Sequence, residues 1–224
     1  MLPGLDGTGK LFAGFIRAIG ADAKVQVIAY PHDEPLGYGE LEALVRAALP
    51  TDRRYVLLGE SFSGPLAIRL AADPPRGLAG VILCGTFAKN PFPWLRWARP
   101  ILARLPVKSM PRWLRARLMW GSSSPQRAPA RAERAMAGVA AAVIRRRMGE
   151  ILAADESLSL ARVDLPMLVL TAARDRVVPR AATRRLLKSA RGAQVREIDG
   201  PHLLLQSRPG ECAVPVLQFL RRWI

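Results

Sequence analysis

YVLLGESFSGPLAIRLA, residues 55–71, joins two different periodicities through one short turn. Tyr55-Val56-Leu57-Leu58 is an apolar run that stops at Gly59, the length of a buried strand. Gly64 onward reads as a helix, stopped by Pro74 and Pro75. Between them stands Gly59-Glu60-Ser61-Phe62-Ser63-Gly64. A strand that turns straight into a helix presents the side chain at the turn from the strand's C-terminal end, the setting a nucleophile elbow needs. So tight a turn requires small neighbours two residues away. Gly59 meets that need, whereas Ser63 stands where a second glycine is usual, with Gly64 one place later. The plainer alternative is a Gly-Ser turn in which Ser61 or Ser63 merely caps the helix.

Working outward, strand and helix patterns alternate. Residues 25–30 (VQVIAY), 55–59, 79–85, 167–172 (MLVLTA) and 193–199 (AQVREID) read as strands. Residues 38–49, 64–73, 180–190 and 211–224 read as helices, and KLFAGFIRAI begins a first one. This alternation predicts a mostly parallel sheet with helices on both faces. It breaks between about residues 86 and 163, where the chain turns Pro-, Trp- and Arg-rich and then helical. The expected organisation is therefore one α/β core, residues 1–85 and 164–224, with a helical cap inserted at 86–163.

A serine nucleophile needs a general base, and the chain has two histidines, His32 and His202. His202, in DGPHLLLQSRP, follows the last strand. Asp175, in MLVLTAARDRVVP, follows the strand before it. Ser61, Asp175 and His202 thus stand in the chain order known for one triad architecture, each after a strand. Ser63 as the nucleophile, Asp164 as the acid and a rim role for His32 in YPHDEP remain alternatives, and Glu60 is expected to point away from the reacting centre.

With these motifs, the chain resembles an α/β-hydrolase fold protein over essentially all of its 224 residues. The resemblance implies an oxyanion hole made by two backbone N–H groups. Phe62, after the nucleophile, would give one, and Leu5, after Pro3-Gly4, the other, with Asp6 a substitute for Leu5. It also implies cleavage of a small-molecule carboxylic ester or thioester with an apolar acyl group through an acyl-enzyme on Ser61. LPGLDGTG is similar to the corresponding loop of some lipid-ester-forming acyltransferases, so acyl transfer is one rival. A catalytically inactive binding or membrane-associated protein with the same fold is another.

The opening residues, MLPGLDGTGKLF, also fit G-x-x-x-x-G-K. A phosphate-binding loop fails there because Leu11 replaces the magnesium-holding Ser or Thr. In the hydrolase fold a central strand feeds this loop, yet only Met1 and Leu2 precede Pro3. The first strand is therefore expected to be missing, through absent native N-terminal residues, and the chain to fold poorly as written.

Net charge is +16, and residues 86–150 hold fourteen Arg and Lys against two acids, a balance of +12. Trp94, Trp97, Trp113 and Trp120 interleave with these arginines. A cap with its aromatic face over the site is the first reading. Contact with an anionic membrane or a phosphate-bearing acyl carrier is the second. Nucleic acid is disfavoured, since no recognised binding motif accompanies the charge. His32 and Asp33 lack further ligands for a metal, and no cofactor is expected. Cys84 and Cys212 form no framework, and no membrane span or signal segment is evident, which reads as cytoplasmic.

Overall fold

A computed structural model describes residues 1–98, 111–121 and 128–224. Four parallel strands, β1 (Tyr55–Glu60), β2 (Leu78–Cys84), β3 (Met167–Ala172) and β4 (Gln194–Ile198), pair in the order β1-β2-β3-β4. Their C-terminal ends are in register, with Glu60 opposite Cys84 and Cys84 opposite Leu170. That alignment gathers the loops after β1, β3 and β4 along one edge of the sheet.

Because side chains alternate across a strand, the sheet feeds two cores. Leu57, Val81, Leu83 and Val169 face one, with Leu41 and Val45 of α2 (Tyr38–Ala48) and Leu66 and Leu70 of α3 (Gly64–Ala72). Leu58, Ile82, Leu168 and Leu170 face the other, with Phe15 and Ile19 of α1 (Ala13–Ile19). All seven residues of β2 are buried, and each fully buried Leu, Ile or Val contributes about 1.5–3 kcal/mol. A continuous apolar run is what a strand covered on both faces requires.

Between β2 and β3 the described residues form α4 (Arg112–Trp120), α5 (Ala128–Ala137), α6 (Ala141–Ala153) and α7 (Ser157–Ala161). The helical part of the insertion is divided where Gly138 to Ala140 leave the helix. The ends of the inserted stretch pair with each other: the Asn90 N–H donates to Ala154 O and the Glu156 N–H to Ala88 O, both at 2.8 Å. Arg69 of α3 then holds the Glu156 carboxylate at 2.6 Å, tying this stem to the core. Beyond β3 follow α8 (Arg180–Ser189), α9 (Leu204–Ser207) and α10 (Pro209–Trp223), whose Cys212, Val216 and Phe219 complete the second core.

Residues 25–30 correct the expectation of a buried strand. They join no ladder, and of the six only Ile28 and Tyr30 are buried. Met1 and Leu2 lie between them and β1. The Leu2 N–H donates to Leu58 O at 2.8 Å, Leu2 O accepts from Glu60 N–H at 3.2 Å, and the Ile28 N–H donates to Met1 O at 3.0 Å. Leu2 forms a single parallel bridge with Gly59 and is fully buried. A ladder needs consecutive pairs, and two residues supply one bridge. Among the described residues, no helix is long and apolar enough to cross a membrane.

Candidate active site

The turn after β1 is built by steric exclusion. Ser61 is the one non-glycine residue with positive φ among those described, at 50°, a conformation that costs an L-residue about 1–2 kcal/mol. A Cβ on Gly59 would lie 2.7 Å from both Ala67 Cβ and Ser63 O, so only hydrogen fits. A Cβ on Gly64 would lie 1.9 Å from Thr86 Oγ1. Its absence lets the Thr86 hydroxyl reach Ser61 O and donate at 2.5 Å. The elbow is thereby held at its own carbonyl by the loop after β2.

Ser61, His202 and Asp175 come together. Ser61 Oγ lies 2.9 Å from His202 Nε2, and His202 Nδ1 lies 2.9 Å from Asp175 Oδ2. The imidazole is almost wholly buried. Asp175 Oδ1 accepts the N–H groups of Val177 and Val178, each at 2.8 Å, which leaves Oδ2 to face the ring. With an acceptor at Nδ1, the ring proton sits there and Nε2 accepts from the serine hydroxyl.

Ser63 does a different job. It is fully buried, and its hydroxyl donates to Pro3 O. Having given its one proton there, it accepts from the Tyr30 hydroxyl at 2.5 Å. The departure from the usual glycine therefore ties the elbow to the N-terminal loop. In that loop the Gly7 N–H donates to Gly4 O at 3.0 Å, a turn that fixes the peptide bearing the Leu5 N–H. A Cβ on Gly4 would stand 3.8 Å from Ser61 Cβ, so the loop passes directly beside the serine. Asp6 faces Thr8, accepting its N–H at 2.9 Å and its hydroxyl at 2.5 Å. Phe62 is fully buried, stacked on Tyr38 with centroids 4.9 Å apart.

Glu60 is buried beside this loop rather than in the relay. Gln206 Nε2 donates to both its oxygens, at 2.9 and 3.2 Å, while Gln206 Oε1 is buried without a partner among the described residues. Burial pushes the Glu60 carboxyl up to about 7; the Asp6 carboxylate adds to this, and Gln206 and His202 oppose it. His32 is exposed beside Asp33, and Asp164 is exposed at the entry to β3, so neither joins the three. Among the described residues no cluster of His, Cys, Asp and Glu suits a metal ion.

The inserted helices reach the site twice. The Leu203 N–H donates to Met119 O at 3.3 Å, seating α4 on the histidine loop; Trp120, the next residue of α4, is buried, while Trp94 and Trp113 are exposed. The Trp97 side chain and residues 99–110 lie outside what is described. Arg147 of α6, 1% exposed, enters the core behind the N-terminal loop. Sequence reasoning missed Arg147, Thr86 and Tyr30. Arg147 sits in a run of three arginines, and only helix phase separates it from the partly buried Arg145 and the exposed Arg146.

Comparison with solved structures finds the same architecture at low identity. The enol-lactonase from Burkholderia xenovorans LB400 superposes with a TM-score of 0.81 at 19% identity, covering 97% of this chain and 88% of that one. MenH from S. aureus gives 0.82 at 15%, covering 99% and 92%. The proline iminopeptidase of Mycobacterium smegmatis gives 0.70 at 18%, covering 99% and 88%. Comparison with curated proteins gave no match. Residues 40–203, well over half of the chain and including both Ser61 and His202, match the family "Serine aminopeptidase, S33", and the chain belongs to that family of α/β-hydrolases.

Proposed function

We propose that the protein is a serine hydrolase that cleaves a carboxylic ester or thioester with an apolar acyl group. The observation that carries this reading is the unbroken relay Ser61 Oγ, His202 Nε2, His202 Nδ1, Asp175 Oδ2, with both steps at 2.9 Å. Ser61 attacks the carbonyl carbon as His202 takes its proton. His202 then hands that proton to the leaving alcohol or thiol, and water repeats the sequence on the acyl-enzyme. Asp175 holds the ring tautomer and offsets the charge that forms on it. The N–H groups of Leu5 and Phe62 take the oxyanion, each worth a few kcal/mol of barrier lowering.

The substrate class rests on what surrounds the relay. α4 is seated on the histidine loop with Trp120 buried, in keeping with an apolar acyl part. A peptidase that reads a free amino terminus needs a carboxylate for its ammonium. The acids of the insertion, residues 86–163, are Glu133, Glu150, Asp155 and Glu156, each facing an arginine or lysine, and Glu60 and Asp6 are already engaged. The ester reading is therefore preferred to the aminopeptidase one. A cytoplasmic setting, with Cys84 and Cys212 free and buried, belongs to the same reading.

The test is a panel of p-nitrophenyl esters and acyl-CoA thioesters of graded chain length, with a fluorophosphonate probe alongside. Wild type is expected to be labelled and to prefer acyl chains over acetate. Ser61→Ala is expected to lose labelling and about 10⁴-fold or more of the rate. Background turnover across the panel and equal labelling of Ser61→Ala would refute the proposal. Ester formation in the presence of a long-chain alcohol would favour the transferase.

The exposed Trp94 and Trp113 on the basic insertion support a second element of the proposal, contact with an anionic membrane surface. Tryptophan beside arginine suits the headgroup region, where the ring sits at the interface and the cation meets acidic lipid.

A further inference from the structure

Arg147 is a charged side chain with 1% of its surface exposed, and among the described residues no carboxylate forms an ion pair with it. Burying a cation in this way is costly unless its protons are taken up. Two carbonyls take them. Nη1 donates to Leu5 O and Nη2 to Pro31 O, both at 2.9 Å. The guanidinium also lies over two aromatic faces, 5.5 Å from the Tyr30 centroid and 6.0 Å from that of Phe62, an arrangement that offsets part of the desolvation.

Two of these four partners, Leu5 and Phe62, belong to the proposed oxyanion hole. Leu5 and Phe62 are the residues whose N–H groups are assigned to it. Three successive carbonyls of the N-terminal loop are held, each by a different element: Pro3 O by Ser63 of the elbow, Gly4 O by the loop's own Gly7 N–H, and Leu5 O by Arg147 of the insertion. The third contact sets the rotation of the chain immediately after the Leu5 N–H. No core residue makes it. The approach is so close that a Cβ on Gly7 would meet Arg147 Nη1 at 2.4 Å, which leaves the loop no room to shift toward the arginine.

We propose that Arg147 is a positioning residue that fixes the Leu5 amide for the oxyanion, so that the seating of α6 on the core sets the acylation rate. This rests on the serine hydrolase reading above. The insertion then supplies part of the catalytic geometry as well as shaping the approach to it.

Arg147→Lys keeps the cation and one donor, and Arg147→Gln keeps a donor without the charge. Both are compared with wild type by fluorophosphonate labelling, kcat and KM on the best ester, thermal unfolding, and amide hydrogen exchange resolved to residues 4–8. Displacing one oxyanion donor predicts a fall in kcat of about 10- to 100-fold with KM within about threefold. Faster exchange should be confined to residues 4–8, with Arg147→Lys the less impaired variant. A folded Arg147→Lys with unchanged kcat and unchanged exchange would overturn the clamp, as would loss of folding in both variants, which would make Arg147 a folding residue only. An unlabelled wild type would instead overturn the hydrolase reading, and with it the catalytic meaning of the clamp.

Discussion

At the scale of single residues, Glu60 is the group most at odds with its surroundings. Its carboxyl is pushed by burial from an ordinary 4.5 up to about 7. Between those values the folded protein keeps a proton that the unfolded chain has lost. Glu60 therefore lowers stability progressively as pH rises through that window, by on the order of 2 kcal/mol. Glu60→Gln removes the titration and offers Gln206 Oε1 a donor. Thermal unfolding of both proteins from pH 5 to pH 8 should show the variant gaining on wild type by several degrees. A constant difference across the range would place the strain elsewhere. Much at this scale was legible beforehand: Ser61, Asp175 and His202 announced themselves by order and by position after strands. Ser63 was visible as a departure from glycine, but its use was not, because Tyr30 and Pro3 lie 33 and 60 residues away along the chain. Arg147 was hidden among its neighbours, since one residue of helix phase moves a side chain by about 100° between solvent and core.

Among the elements, the turn from β1 into α3 has the least slack. Gly59 faces Ala67 and the Ser63 carbonyl at a distance no methyl group tolerates. Gly59→Ala should force β1 and α3 apart, costing about 1–3 kcal/mol, and slow fluorophosphonate labelling of Ser61 by moving its hydroxyl off His202. An unchanged melting temperature with unchanged labelling would show that the turn can open. β1, β2 and β3 were readable because each carries an apolar run with helical patterns on either side, while β4, with Arg196 and Glu197 among its five residues, was readable only from its place in the alternation. Residues 25–30 looked alike in pattern and did not form a ladder. A strand is defined by its neighbour, and residues 25–30 meet theirs through separate hydrogen bonds to Met1 and Gly7 and not through a ladder. Composition alone could not supply that information.

For the whole molecule, charge is the dominant asymmetry, with +12 of the +16 carried by residues 86–150. If this face meets an anionic bilayer, the protein should sediment with phosphatidylglycerol vesicles and not with phosphatidylcholine ones. Binding should weaken several-fold on raising salt from 0.05 to about 0.5 M and again in Trp94→Ala/Trp113→Ala. Equal recovery with both lipids would remove the membrane from the proposal. The geometry of the relay carries a separate consequence. Ser61 and His202 stand 141 residues apart in the chain, and Asp175 and His202 lie in the loops after β3 and β4, which pair in parallel. Contacts this distant form late in folding, because loop closure must come first. If Ser61 is the nucleophile proposed above, its labelling is a clock for the end of folding: a chain that labels has brought these loops together.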